Sequence, residues 1–360
     1  MVDWQPFIDF CLKYELMFII WVQVIFGLLG IGIFYYAFTS RKNPAKQGHP
    51  EYFINEFIVG VLFFLAIFTY PFIFNQYLPS AAVRAQVYFH IWDSITVNFI
   101  CYGTHVLIGN YRKKKKGLKF TREEFNTQFC KDYDDSLWAD LQRKWLHALP
   151  PVLGLVLLLI ARYFEPFLES QGWTSELLVV FMIFSVGIHF LVILTEADLQ
   201  RFLAMNSLTL FAVEWMSHAL RPKELETPTS ATIMVLSQLV FLFAPFPVFF
   251  TVIWITALSD ATASLVGKSF NKLGWAKHKI GNSPKTYAGL IGGCLMTFII
   301  PFLINWLIPF EGASLLLILG MAIAATTAFA FIDVFAKRIS DNFLNPMVCG
   351  GLIWILYLLF

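Results

Sequence analysis

Asp260 stands in the segment LSDATASLVGKSF, with Ser264 four residues on and Gly267 seven residues on. On a helix these three share one face. Ala257, Ala261 and Ala263 keep the neighbourhood small, so a second helix or a ligand can come close. From Ala261 to Phe310 there is no Asp or Glu, yet Lys268, Lys272, Lys277, His278, Lys279 and Lys285 fall inside that stretch. A lone carboxylate followed by a cationic loop suits a metal–polyphosphate site. Mg2+ commonly takes only one or two protein carboxylates plus phosphate oxygens, and the lysines would neutralise the phosphates. A plainer reading is open for each part: an Asp satisfied inside a tight helix pair, and lysines that mark a cytoplasmic loop. That reading does not account for the lack of acids or for the turn residues Gly274, Gly281, Asn282 and Pro284. Gly267-Lys268-Ser269 is not a P-loop. Thr262 stands where the motif needs its first Gly, and an apolar helix rather than a strand precedes it.

Three further polar groups stand beside apolar runs, where burial of such residues is costly. In FIDVFAKRISDNFLNP, Asp333, Lys337 and Asp341 are spaced by four and form a slanting row on one helix face, which Asn345-Pro346 then ends. Asp333 and Lys337 can neutralise each other. Asp341 and Asn342 sit where they could share a metal with Asp260. In LQRKWLHALPP, Arg143 and His147 are spaced by four and could hold a phosphate or a head group, or else anchor the helix to anionic lipid. In LTEADLQRFL and LRPKE, Asp198 with Arg201 and Arg221 with Glu224 read individually as interfacial ion pairs.

Membrane helices must position these residues. The chain has 360 residues, 58% hydrophobic and only 14% charged. Its mean hydropathy is +0.66. That departs far from a soluble domain, which is roughly 25% charged, and it excludes a disordered chain or a disulfide scaffold. A net charge of +2 gives no reason to expect a nucleic-acid partner. The five cysteines lie far apart, without ligand spacing, and read as free thiols. A bilayer needs about 20 apolar residues per helix. Spans are expected near 14–38, 54–76, 87–109, 148–164, 177–195, 229–245, 248–266, 287–308, 314–336 and 346–360. The expected fold is therefore all-α: a polytopic transmembrane bundle of about ten spans.

Cationic loops assign the sides. Residues 110–147 hold ten Lys/Arg, and residues 267–285 hold five Lys and no acid. Both stretches are expected on the cytoplasmic side, with both termini opposite. Residues 205–220 carry Glu214 and His218 and are read as a re-entrant or interfacial helix. After the lysine run, Thr121 and Glu124 form a capping box. Residues 122–147 then read as one amphipathic helix along the cytoplasmic surface. Three regions follow: an accessory region of three spans over 1–109, a basic loop and surface helix over 110–147, and a catalytic membrane domain over 148–360.

The order RKWLH, LTEADLQR, LRPKE, LSDATASLVGK, PKTYAG and ISDNFLNP, with spans between, resembles the CTP-dependent lipid kinase family. Dolichol kinase, phytol kinase and CTP-dependent diacylglycerol kinase belong to that family. The resemblance covers the chain from about residue 140 onward. It implies transfer of the γ-phosphate of CTP, with Mg2+, to a lipid alcohol at the cytoplasmic face. Asp260, Asp341 and Asn342 would form the metal and nucleotide centre, with the metal on Asp260 and Asp341. Ser264, Lys268, Lys285 and Thr286 would bind nucleotide phosphates. Arg143, His147, Asp198, Arg201 and Glu224 would position substrate. Where the family carries Glu eight residues before the Asp-Asn pair, this chain carries Asp333. Two other readings stay open: a lipid cytidylyltransferase with much the same inventory, and a transport or partner-binding protein without catalysis.

Overall fold

A computed structural model describes all residues except 1–4, 42–48, 79, 116–121, 135, 171, 204–221, 226, 229, 273–278, 281–284 and 337. The fold is an all-α polytopic bundle. The helices are α1 (Gln5–Ser40), α2 (Pro50–Tyr77), α3 (Ala81–Lys115), α4 (Arg122–Asp132), α5 (Leu137–Tyr163), α6 (Glu165–Ser170) and α7 (Ser175–Leu203). They continue with α8 (Ser230–Leu239), α9 (Phe246–Lys272), α10 (Tyr287–Leu307), α11 (Leu315–Phe335), α12 (Asp341–Leu344) and α13 (Gly351–Leu359). A hydrocarbon core offers the backbone no hydrogen-bond partner, so an apolar chain satisfies itself as helix.

Among the described residues, each of the ten expected spans lies largely on helix. Among the described residues, seven stretches are long and apolar enough to cross a membrane: Gln5–Ser40, Pro50–Pro71, Ser175–Thr195, Phe246–Phe270, Tyr287–Leu307, Leu315–Phe335 and Asp341–Leu359. His147–Tyr163 and Ser230–Leu242 are shorter apolar helices. The expected re-entrant helix at 205–220 lies outside the described residues, as does Thr121 of the capping box. All five cysteines are free thiols.

The chain divides into two compact units. The first comprises Met1–Tyr133 and Val156–Leu236. Within it α1 packs on α2 and α3, and α3 packs on α7. On α1, Phe18, Val22, Ile25, Leu29 and Ile33 recur at helical spacing and are buried, while Leu16, Ile20, Val24, Leu28 and Ile31 on the other side are exposed. An apolar outward face is what a helix needs against lipid tails. Tyr70 donates to the carbonyl of Ile19 at 2.8 Å, and Glu15 accepts from Arg84 Nε at 2.7 Å.

The second unit comprises Asp134–Leu155 and Ser237–Phe360. It holds the start of α5 together with α9 to α13. Here α9 packs on α10, α10 on α11, and α11 on α13.

Three local expectations are corrected. Residues 122–147 are not one surface helix: α4 ends at Asp132, and α5 runs from Leu137 to Tyr163 through Pro150 and Pro151. Asp134 Oδ1 accepts from the Ser136 amide at 2.8 Å, and Ser136 Oγ accepts from the Ala139 amide at 3.1 Å. This side-chain capping stops one helix and starts the next.

Residues 267–272 are not loop. They continue α9 in one helix, in keeping with the rejected P-loop.

Asp333 and Asp341 do not share a helix either, and Lys337 of that row lies outside the described residues. The last turn of α11 closes at Ala336, whose amide donates to the carbonyl of Ile332. Ser340 Oγ then accepts from the Asn342 amide and opens α12. Asn345-Pro346 does not end this helix. Pro346 has no N–H to give, and the chain passes it in one wide π turn, Asn345–Gly350, into α13.

Candidate active site

On α9, the residues Asp260, Ser264 and Lys268 follow one another at four-residue steps and line one helix face. The start of α5 lies along that face. Lys144 Nζ is ion-paired with Asp260 Oδ2. One turn earlier, Asp140 Oδ2 accepts from Ser264 Oγ and lies 3.7 Å from Lys268 Nζ. The two helices therefore meet in matched polar steps, with 140 against 264 and 268, and 144 against 260. Asp140 is 1% exposed and Lys144 5%. Charges buried this deeply must be paired, and here each is.

A second group is assembled by α10. Ahead of it, Lys279 and Thr286 form an antiparallel bridge, and the Ile280 amide donates to the Lys285 carbonyl at 3.0 Å. Thr286 is the N-cap of α10 and accepts from the Gly289 amide at 3.1 Å. This fixes the backbone of Lys285 one residue before the helix. Lys285 Nζ is ion-paired with Asp333 Oδ1 near the end of α11, and lies 3.9 Å from Asp341 Oδ2 at the start of α12. Burial alone would lower the pKa of the Lys285 ammonium. The carboxylates of Asp341 and Asp333, with a smaller pull from Asp260, outweigh it and raise the pKa. Asp260, Asp333 and Asp341 thus all act on one lysine.

Close packing between α9 and α10 brings the two groups together. A Cβ on Gly289 would stand 2.6 Å from the carbonyl oxygen of Ala263, and one on Gly267 would stand 2.9 Å from Thr286 Oγ1. Only hydrogen fits at either position, so the backbones approach as small residues allow in membranes. Deeper in, Thr297 Oγ1 donates to Ser259 Oγ at 2.8 Å. Beyond Lys285, the carbonyl of Asn342 accepts from Ser237 Oγ at 3.1 Å. Asn345 is buried, and its Oδ1 has no hydrogen-bond partner.

Asp260, Ser264, Lys268, Lys285, Asp341 and Asn342 thus belong to one unit and are tied into one neighbourhood. Thr286 is there as well, with its oxygen occupied as a cap. Arg143 and His147 are on α5, flanking Lys144, and His147 is half-buried. Asp198, Arg201 and Glu224 belong to the other unit. There Asp198 is fully buried on α7, which also carries Arg201, and Glu224 accepts from Ser230 Oγ in a short 3-10 turn. Sequence reasoning left Asp140 aside and passed over Lys144 for its neighbours. The available signal was their four-residue spacing on one helix face. It also paired Asp333 with Lys337 rather than with Lys285.

The arrangement offers ammonium groups for phosphate oxygens and carboxylates for a cation or a proton. Among the described residues, no group of three or more His, Cys, Asp or Glu side chains is placed to hold a metal ion by itself.

A family model described as the cytidylyltransferase family matches residues 139–337, more than half of the chain. The chain belongs to the cytidylyltransferase family. It is a CTP-using membrane enzyme by that membership, and a nucleotide triphosphate is among its substrates. The matched range takes in Asp140, Lys144, Asp260, Lys285 and Asp333, and stops four residues short of Asp341. No curated protein and no solved structure matches the chain.

Proposed function

We propose that the protein is a CTP-dependent kinase that phosphorylates a membrane lipid alcohol at the cytoplasmic face. The supporting observation is Lys285 held between two carboxylates, Asp333 and Asp341. A phosphate-binding lysine serves any CTP-using enzyme. A carboxylate beside it serves one whose acceptor still carries a proton. An alcohol must lose that proton as it attacks, and a positioned carboxylate contributes to the step. A lipid phosphate is already an anionic nucleophile and needs no such base.

Phosphoryl transfer asks the protein mainly for position and charge. Lys268 and Lys285 would hold the phosphates. Asp260 and Asp341 would hold Mg2+, which when bound supplies neutralising charge to the phosphate oxygens. The donor set is compatible with it. Both carboxylates are partly open to solvent, at 24% and 33%, and this cation takes few protein ligands. The alcohol oxygen forms its bond to the γ-phosphorus as the bond to the β–γ bridging oxygen breaks. CDP leaves, and the alcohol proton passes to Asp333 or Asp341. Arg143 and His147 would orient the head group.

A panel of lipid alcohols (dolichol, a shorter polyprenol, phytol, diacylglycerol) incubated with CTP or ATP tests the proposal. A phosphorylated lipid made from CTP supports it, and no product from any alcohol removes it. Lipid cytidylyl transfer is the second reading, favoured by the description of the matched family. In that case phosphatidic acid would be consumed and pyrophosphate released.

A further inference from the structure

We infer that the opening turns of α5 lie against the headgroup layer of a bilayer, and that this contact holds the polar steps of the site level with the lipid headgroups. α5 has two unlike faces. Asp140, Lys144 and Pro151 are buried on one, where the first two meet α9. On the other, Trp138 is 67% exposed, Leu141 40%, Trp145 56%, Leu149 37% and Val152 37%. These five recur at steps of three, four, four and three, which lays them in one stripe along the helix. The surface contact is thus made not by 122–147 as a whole but by the start of α5, through the side turned away from the site.

An exposed apolar stripe marks a partner, and its continuity says which. Leu149 and Val152 belong to the apolar stretch His147–Tyr163. The same face runs on without a break past Lys144 to Trp138. Hydrocarbon covers the far part, so the near part meets the layer that follows hydrocarbon. The residues change as that layer demands: aliphatic at 149 and 152, tryptophan at 145 and 138. An indole has an apolar body and an N–H that keeps a polar partner, which is why Trp gathers at the membrane boundary. Length agrees. At 1.5 Å per residue the 27-residue helix is about 40 Å long, against a hydrocarbon core of roughly 30 Å and about 40–45 Å with headgroups. A helix with its side chains is about 10–12 Å across, so the Lys144–Asp260 pair stands about one helix diameter from lipid. A lipid whose polar group lies at that depth is level with the site and need move only within its leaflet. This holds whether phosphoryl or cytidylyl is transferred.

The test is the depth of this stripe in the full-length chain, reconstituted in phosphatidylcholine vesicles. Cys101, Cys130 and Cys294 are replaced by Ser, while Cys11 and Cys349 are buried and stay. A nitroxide is attached at Trp138→Cys, Trp145→Cys or Leu149→Cys. Power saturation in electron paramagnetic resonance then compares oxygen, which collects in lipid, with a water-soluble nickel chelate. The expected result is a nitroxide at 149 within hydrocarbon, and nitroxides at 145 and 138 between hydrocarbon and bulk water. Full access of the chelate to 138 and 145, as in bulk water, overturns the inference. So does exclusion of both agents, which marks a second copy or another protein on the stripe. Should a labelled chain not fold, the unaltered chain is irradiated in vesicles containing a photoactivatable phosphatidylcholine. Lipid adducts on 137–149 support the inference. Their absence, with adducts present at the exposed Ile291 and Leu295 of α10, overturns it. Neither measurement needs turnover, so failure of the kinase reading leaves the outcome intact.

Discussion

Lys144 of α5 is ion-paired with Asp260 of α9, 116 positions away in sequence, with the lysine side chain 6% exposed and the aspartate 24%. Each neutralises the other, and the buried ammonium of Lys144 depends on the pair most. Removing one partner is therefore worse than removing both. Lys144→Met leaves the half-buried Asp260 carboxylate without this partner and costs about 3 kcal/mol, the low end for a buried pair because Asp260 keeps some solvent. Lys144→Met with Asp260→Asn recovers most of that stability while activity stays lost. Thermal unfolding in detergent beside a turnover assay checks both. Equal stability of the single and double variants would show that the pair carries no such load.

Lys285 sets an alkaline limit. Burial pulls its pKa down, but Asp341 and Asp333 outweigh burial and hold it above the usual 10.5. A group whose folded pKa is raised stabilises the fold fully below its unfolded pKa, and that stability is lost as pH rises through the folded value. Stability should hold steady from neutrality to about pH 10 and fall above about 10.5. Lys285→Met should flatten that fall. Melting temperatures of the two chains between pH 8 and 12 decide it, and parallel curves would clear Lys285 of the role.

Two glycines should respond in opposite ways to the same substitution. A Cβ on Gly289 meets the backbone oxygen of Ala263 at 2.6 Å, whereas one on Gly320 of α11 meets nothing within 4 Å. Gly289→Ala forces α9 and α10 apart at a cost of about 1–3 kcal/mol and separates Lys285 from the α9 carboxylate. Gly320→Ala gains up to about 1 kcal/mol of helix propensity. Unfolding midpoints that move together would contradict the close helix approach.

Asp341 opens α12 behind the Ser340 cap and faces Lys285. Asp341→Asn keeps the cap and the shape but removes the charge. Turnover should fall by about a hundredfold or more, as loss of a charge or proton acceptor does. Circular dichroism should be unchanged. Full turnover in this variant would take Asp341 out of the mechanism.

The spans were legible because twenty-residue apolar runs admit only helix in lipid. The face of Asp260 and Ser264 was legible from four-residue spacing, whereas Lys268, expected in a cationic loop, joins it only because the helix runs on to Lys272. Helix ends were harder. The row Asp333, Lys337, Asp341 satisfies the same spacing, yet Ser340 breaks it by capping a new helix. Asp134 and Ser136 break 122–147 in the same way. Both breaks are made by small polar side chains, which apolar periodicity does not register. The partners of Asp140, Lys144 and Lys285 lie between 48 and 128 positions away. Only the packing of α5 and α10 against their neighbours brings them into reach.

The most direct measurement feeds the purified chain CTP labelled on either its α- or its γ-phosphate, with a lipid alcohol and with phosphatidic acid. The expected result is γ-label in the alcohol product, CDP released, and no α-label in any lipid. Label from the α-phosphate appearing in lipid, with pyrophosphate released, would contradict the kinase reading and establish cytidylyl transfer in its place.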